Sequence, residues 1–223
     1  TADLTADINY ASNAIQNNGV LTIEDATIIN SSTDDVADYG FPHCIDNSGT
    51  LTINSGTFTN KTKYSSIRIW CTTDDDTNVT INGGTFNGCI DFHNVNGNAN
   101  KGTLTINNGV FNAEKNAVRL LGFGVDVDEL NGYIKGGVFN GNITLRNYTS
   151  GEFNSQVFFI SGGTFSNDPS AFVAEGYEAA EQNGVWVVTP SYSVEGDVYT
   201  IYTANGLKWL AQEVNKYSNY EYP

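Results

Sequence analysis

The chain has 223 residues, which suffices for one large domain or two small ones with a buried core. Only 16% of its residues are charged, against about 25% in an average domain, and 25 acidic against 10 basic residues give a net charge of −15. This balance disfavours nucleic acid and anionic membranes, which need a cationic surface, and disfavours acidic polysaccharides less. No stretch approaches the ~20 apolar residues of a membrane span, so we expect no membrane insertion.

A short motif recurs six times along the chain. It reads GTLTINSGTFTN at 49–60, NVTINGGTFNG at 78–88 and GTLTINNGVFNA at 102–113, with more divergent copies before and after. In every copy an isoleucine is followed three residues later by a small residue and five residues later by a large apolar one. The isoleucines are Ile23, Ile53, Ile81, Ile106, Ile134 and Ile160, and the large residues are Ile28, Phe58, Phe86, Phe111, Phe139 and Phe165. Spacings of 25 to 30 residues are too short for a propeller blade and predict a solenoid.

A third strand completes each unit. It is centred on Ile15, Ile45, Ile67, Ile90, Val118 and Ile143. Variable lengths before it predict surface bulges at 61–65 and 114–116, with a further insertion at 126–130. We therefore expect an all-β fold, a right-handed single-stranded parallel β-helix of about six coils over residues 1–176, with the isoleucine and phenylalanine columns inside.

The C-terminal part carries no copy of the repeat. Residues 177–190 predict a terminating hairpin that turns at Asn183 and Gly184. Residues 191–223 predict a strand and an amphipathic helix with Thr203 as N-cap. We expect this segment either to cap the last coil or to start a following module. As a cap it would bury Leu207, Trp209, Leu210 and Val214 against the region of Phe158, Phe165, Phe172 and Trp186.

The outward positions of the third strand hold the candidate site. One column is Gln16, Asp46, Arg68, Asp91, Arg119 and Thr144, and the next includes Ser48, Trp70, His93, Leu121 and Arg146. Alternating acids and arginines predict a charge ladder that fixes the register. The alternative is a shallow glycan-binding groove, in which Trp70 stacks on a sugar and the polar contacts come from Arg68, Asp91, His93, Arg119 and Arg146.

Catalysis on this face is less favoured. Asp46 and Asp91 lie two coils apart, about 9.6 Å, near the spacing of an inverting glycosidase. Arg68 between them would keep both carboxyls ionised, whereas a general acid needs a raised pKa. A lyase could use Arg68 or Arg119 against a uronate, but no matching aspartates for Ca²⁺ are evident. The acidic runs at 74–76 and 126–129 predict solvated loops, the three cysteines predict packing residues, and we expect no cofactor.

The chain also resembles a known family. The run ISGGTFSNDPSAFVAEGYEAAEQNGVWVV at 160–188 resembles a terminating module of large cell-surface repeat proteins of commensal bacteria, with pectate-lyase-type β-helices, that are described as adhesins. The segment YTIYTANGLKWLAQEVN at 199–215 is similar to the start of a further β-helix in them. The resemblance implies a non-catalytic, monomeric extracellular module, a rigid stalk or adhesin segment whose partner is a glycan or another surface ligand. A polysaccharide-degrading enzyme and a purely structural spacer remain alternatives.

Overall fold

The computed structural model describes residues 2–6, 13–31, 42–62, 64–71, 77–94, 101–122, 130–147 and 157–216. The acidic runs at 74–76 and 126–129 lie outside these ranges. The chain is an all-β parallel β-solenoid, so the predicted fold class is confirmed. No helix in the described ranges is both long enough and apolar enough to cross a membrane.

The strands, in chain order, are β1 (Ala2–Ala6), β2 (Ile15–Asn17), β3 (Val20–Ile23), β4 (Ala26–Asn30), β5 (Ile45–Asn47), β6 (Thr50–Ile53), β7 (Thr57–Asn60), β8 (Ile67–Cys71), β9 (Thr77–Ile81), β10 (Thr85–Asn87), β11 (Ile90–Asn94), β12 (Gly102–Ile106), β13 (Val110–Gly122), β14 (Leu130–Ile134), β15 (Val138–Asn147), β16 (Phe158–Ile160), β17 (Gly163–Phe165), β18 (Tyr177–Gln182), β19 (Val185–Pro190), β20 (Tyr192–Glu195) and β21 (Val198–Ile201). A 3₁₀ turn, Ser170–Phe172, precedes β18, and helix α1 (Ala204–Lys216) follows β21.

Each motif copy contributes a first and a second strand to the solenoid, and among the described residues a third strand follows in every copy except the last. The first strands form a six-stranded sheet in the order β16-β14-β12-β9-β6-β3. The second and third strands belong to one larger sheet, because β13 and β15 run through the corner that separates these strands in the other coils. The last repeat, β16 and β17, has no third strand among the described residues, so there are fewer complete coils than the six that the spacing predicts.

The phenylalanine column fills the interior as predicted. Phe58, Phe86, Phe111, Phe139 and Phe165 are all buried, and consecutive rings stack with centroids 4.7 to 5.0 Å apart and planes within 6° of parallel. The isoleucines align in the same way, for example Ile53 with Ile81 and Ile106 with Ile134. Each coil thus places the same side chain over its copy in the next, which is why the offset between the two columns is constant.

Glycine is required at the corner between the first and second strands. Gly56, Gly84, Gly109, Gly137 and Gly163 all have positive φ, between 110° and 141°. At Gly56 a Cβ atom would lie 2.4 Å from the carbonyl oxygen of Ala26 in the preceding coil. The corner therefore excludes a side chain both by its backbone conformation and by the close approach of the next coil.

Asparagines add a ladder on the outer surface that the sequence analysis did not predict. The side-chain amide of Asn107 donates to Asn82 at 2.7 Å, and that of Asn82 donates to Asn54 at 2.7 Å. Asn54 donates in turn to Glu24 at 2.8 Å. Each side-chain amide donates a hydrogen bond to the side chain at the same position in the preceding coil, so the ladder supports the same register as the interior columns.

The C-terminal end of the solenoid is covered by the segment that precedes residue 191. The hairpin of β18 and β19 forms as predicted, with Asn183 and Gly184 at φ of 54° and 84° in its turn. Strand β19 pairs antiparallel with β17, placing Trp186 opposite Phe165. Val173 forms a bridge to Ile160 at the end of the first sheet. Both sheets are thus closed before the tail begins.

Helix α1 forms with Thr203 as its N-cap, because the Thr203 hydroxyl accepts a hydrogen bond from the backbone N–H of Gly206 at 3.2 Å. Trp209 stacks on Tyr192 of β20, with ring centroids 3.6 Å apart. Leu207 and Val214 are 60% and 63% exposed. The prediction that these two residues pack on the last coil is therefore wrong, because the helix instead uses its aromatic residue against the small β20–β21 hairpin.

Candidate functional site

The third strands bring the predicted charged column together. Asp46 is the register partner of Arg68, which is the partner of Asp91, and Asp91 is the partner of Arg119. Gln16 precedes this run and Thr144 follows it. The sequence-based alignment of the third strands is therefore correct through these coils.

Each arginine pairs with the acid of the preceding coil, although Arg68 also has an acid, Asp91, in the following coil. Arg68 binds Asp46 through two hydrogen bonds, Nε to Oδ1 at 2.8 Å and Nη2 to Oδ2 at 2.5 Å. Arg119 binds Asp91 in the same bidentate manner, with Nε to Oδ1 at 2.7 Å and Nη2 to Oδ2 at 2.9 Å. Such forked pairs fix the side-chain geometry more strongly than a single surface contact. The column consists of two discrete ion pairs rather than one continuous chain.

Asp91 is held in its ionised form. Its side chain is only 6% exposed, and burial alone would raise its pKa. His93, whose Nε2 lies 3.9 Å from Oδ2, and the two hydrogen bonds and charge of Arg119 outweigh burial and bring the pKa of Asp91 well below the ordinary value. A carboxylate in this state can accept hydrogen bonds but cannot donate a proton at neutral pH.

Trp70 lies beside the charged column. The guanidinium carbon of Arg68 is 4.7 Å from the centre of the Trp70 ring, and the His93 ring is 5.5 Å away at a tilt of 34°. Trp70 is half-buried, so one part of the ring is packed and the rest faces solvent. Arg146 stands two coils beyond His93 in the same column, separated from it by the buried Leu121. Of the six predicted site residues, only Arg146 is exposed.

A concave surface, which the sequence analysis missed, lies at the corner between the second and third strands. It is a cleft of about 540 Å³. In its central coil Ile90 is the fourth residue after Phe86, whereas in the coil before Ile67 is the ninth residue after Phe58. In the coil after, Val118 is the seventh residue after Phe111. The short corner forms the floor and the two longer corners form the walls. The lining consists of Asn60, Lys61, Thr62, Tyr64, Asn87, Gly88, Cys89, Asn112, Ala113, Glu114, Lys115, Asn116 and Arg119.

Buried contacts hold one wall of the cleft in place. The Asn60 side chain donates to the carbonyl oxygens of Pro42 and Ser65, at 2.6 and 2.8 Å, and accepts from the backbone N–H of Thr62. The Ser65 hydroxyl lies 2.8 Å from Nδ1 of His43. On the floor, a Cβ atom at Gly88 would come within 2.6 Å of the Ser66 hydroxyl. A side chain at this position would therefore clash with the packed residues beside the floor.

The remaining reactive groups are packed into the structure. Burial raises the pKa of Cys44 and of Cys71 to about 12. Burial and the charge of Asp91 raise the pKa of Cys89, whose thiol contacts the Asp91 carboxylate at 3.4 Å. All three thiols are free cysteines that stay protonated at neutral pH. Within the described ranges no three His, Cys, Asp or Glu side chains are grouped so as to hold a metal ion.

Comparison of the chain with protein-family models, with curated proteins and with solved structures gives no match. The chain is a parallel β-solenoid, and the described residues offer two candidate sites, the third-strand face of Trp70 and the cleft at the neighbouring corner.

Proposed function

We propose that the chain is a non-catalytic module of a bacterial surface protein, a rigid stalk or adhesin segment that binds a glycan on its third-strand face. The observation that carries this proposal is the arrangement around Trp70. A half-buried indole stands beside Arg68 and His93, and Arg68 is fixed by its bidentate pair with Asp46. Preorganised polar groups around an aromatic surface suit a ligand that offers both hydroxyls and an apolar ring face.

The state of the carboxylates favours binding over hydrolysis. A glycosidase needs one carboxyl that carries a proton near neutral pH. Asp46 is bound by Arg68, and Asp91 is kept ionised by Arg119 and His93. Asp91 therefore cannot be that acid, and the Asp46 carboxylate is already engaged in two hydrogen bonds with Arg68, which weighs against the alternative of a polysaccharide-degrading enzyme of the pectate-lyase-like class.

A purely structural spacer is the second candidate, and the same two ion pairs favour it. Both pairs join neighbouring coils and help to fix their register, as a charge ladder would. A spacer, however, requires neither the exposed edge of Trp70 nor the guanidinium of Arg146 at the end of its column.

A glycan array of neutral and acidic oligosaccharides tests the proposal. The intact chain should bind a defined subset, and Trp70→Ala should abolish that binding without changing the melting temperature by more than a few degrees. Trp209→Ala, in the tail, is the matched control and should keep the same pattern. Binding to no glycan would favour the spacer, and release of shortened or unsaturated products from the bound glycans would favour the enzyme.

A further inference from the structure

The cleft at the corner of the middle coils is positively charged although the chain as a whole is strongly acidic. Lys61, Lys115 and Arg119 line it, which are three of the ten basic residues in a chain of net charge −15. Of the lining residues that the structure describes, Glu114 is the only acidic one. Such a local excess of basic residues attracts anionic groups to the cleft, although the net charge of the chain is negative.

The two lysines stand on opposite walls. Lys61 belongs to the corner after β7 and Lys115 to the corner within β13, and these strands flank β10 on either side. Two coil spacings of about 4.8 Å separate the walls, which leaves room between them for one sugar residue with its substituents. Both lysines are exposed, and in the described ranges neither forms an ion pair with a carboxylate.

The floor of the cleft presents an ordered row of amides. Asn140 donates to Asn112 at 2.8 Å, Asn112 donates to Asn87 at 2.9 Å, and Asn87 donates to the Thr59 hydroxyl at 3.0 Å. Each amide uses one N–H group and one carbonyl lone pair at most in this ladder. The remaining amide groups of Asn87 and Asn112, which line the cleft, match the paired donors and acceptors of sugar hydroxyls.

We propose that this cleft is a binding site for a sulfated oligosaccharide, separate from the Trp70 face. Sulfate fits better than carboxylate because the fork of Arg119, the group best suited to a planar carboxylate, already holds Asp91. Among the described lining residues, the cationic groups outside an ion pair are the ammoniums of Lys61 and Lys115, which act as point charges without a planar preference. They stand on opposite walls, so each can contact a different oxygen of a sulfate ester on a sugar bound between the walls. The amide row below binds the hydroxyls of the same sugar, and the ring of Tyr64 bounds the first wall.

The test is a calorimetric titration with two matched probes, a chondroitin sulfate hexasaccharide and the unsulfated chondroitin hexasaccharide. Both carry uronate carboxylates, so only the sulfate distinguishes them. We expect the sulfated probe to bind and the unsulfated probe to bind at least tenfold more weakly. Raising NaCl from roughly 50 mM to roughly 200 mM should weaken the binding, since exposed ion pairs are screened.

Variants then place the site. Lys61→Gln with Lys115→Gln should weaken binding of the sulfated probe about tenfold, as expected for the loss of two exposed ionic contacts. Lys135→Gln with Lys208→Gln removes the same charge from exposed positions outside the cleft and should leave affinity unchanged. Circular dichroism melting checks that all variants are folded.

Several results would overturn the proposal. Equal binding of both probes would show that the cleft binds the uronate carboxylates and does not require sulfate. Binding of neither probe would show that the cleft is not an anion site. Equal weakening by the two pairs of variants would show a general charge effect. Trp70→Ala should not alter binding of the sulfated probe, so this experiment fails or succeeds independently of the function proposed for the third-strand face.

Discussion

Arg119 donates two hydrogen bonds, at 2.7 and 2.9 Å, to the carboxylate of Asp91 in the neighbouring coil. The Arg119 side chain is 28% exposed, whereas that of Asp91 is only 6% exposed. The partner that remains after a substitution therefore sits in a different environment in each case. Removing Arg119 leaves a buried negative charge, whereas removing Asp91 leaves a guanidinium that can reach water.

The first prediction is that Arg119→Gln destabilises the protein more than Asp91→Asn. Because the pair is partly exposed and His93 lies near Asp91, we expect a cost for Arg119→Gln of up to about 3 kcal/mol, below the range for fully buried pairs. Urea denaturation of both single variants and of the double variant measures the difference. The double variant should be more stable than Arg119→Gln alone, and the opposite order would mean that the pair contributes little.

The second prediction concerns acid sensitivity through His43. Burial, and to a lesser extent the charge of Arg68, lowers the pKa of His43 from 6.5 to about 4. Between these pH values the unfolded chain binds a proton that the folded chain does not, so stability falls as the pH is lowered through this window. The expected loss is roughly 3 kcal/mol.

The variant His43→Leu isolates this effect. It removes the titrating group, so the fall in unfolding free energy between pH 6.5 and 4 should be smaller than in the parent. The contribution of Asp91 is separate, because its lowered pKa adds stability that is lost only as the pH falls further, below the ordinary range of an aspartate. Identical slopes for variant and parent above pH 4 would show that His43 is not buried in its neutral form.

The third prediction tests the interior column. Phe111 is fully buried and stacked on both sides, by Phe86 and Phe139. Phe111→Ala should therefore cost about 3–5 kcal/mol of unfolding free energy. Val20→Ala, at a position that is 84% exposed, should change stability by less than about 0.5 kcal/mol. A Phe111→Ala variant that unfolds like the parent would mean that the ring is not in the core.

The fourth prediction concerns the tail. Strand β19 and Val173 already cover the ends of the two main sheets, and Leu207 and Val214 remain exposed. Deleting residues 191–223 should leave the melting temperature within about 2 °C of the parent, less than the shift that 1 kcal/mol typically causes at this size. Deleting from residue 177 onward should lower it much further and promote association through the uncovered last coil. Equal losses from both deletions would show that the tail is part of the cap.

The sequence predicted the interior well, for a physical reason. Stacked columns such as Phe58 to Phe165 require the same residue at the same offset in every coil, and this requirement is visible as periodicity. The same alignment placed Arg68 between Asp46 and Asp91. The alignment could not predict which of its two acidic neighbours Arg68 binds, because this depends on side-chain conformation rather than on register.

Other features depend on differences between coils rather than on their likeness. The cleft arises because the corner after Phe86 is shorter than the corners on either side. The sequence analysis predicted surface bulges at these longer corners but did not predict the cleft between them. The asparagine ladders were not predicted because asparagine is common throughout the chain and an outward position alone does not show a hydrogen bond. The pairing of β1 with β4 was missed because residues 2–6 carry no glycine or aromatic residue of the motif.

The most direct test of the proposed function is a fluorescence titration in which Trp70 is the only tryptophan. The variant Trp186→Phe with Trp209→Phe provides this reporter, since the chain has three tryptophans. Cellohexaose, xylohexaose, mannohexaose and the chondroitin sulfate hexasaccharide serve as probes. Glycan binding on the third-strand face predicts a saturable change in Trp70 emission with at least one neutral probe. The absence of any change across the series, with the fold intact by circular dichroism, would contradict it.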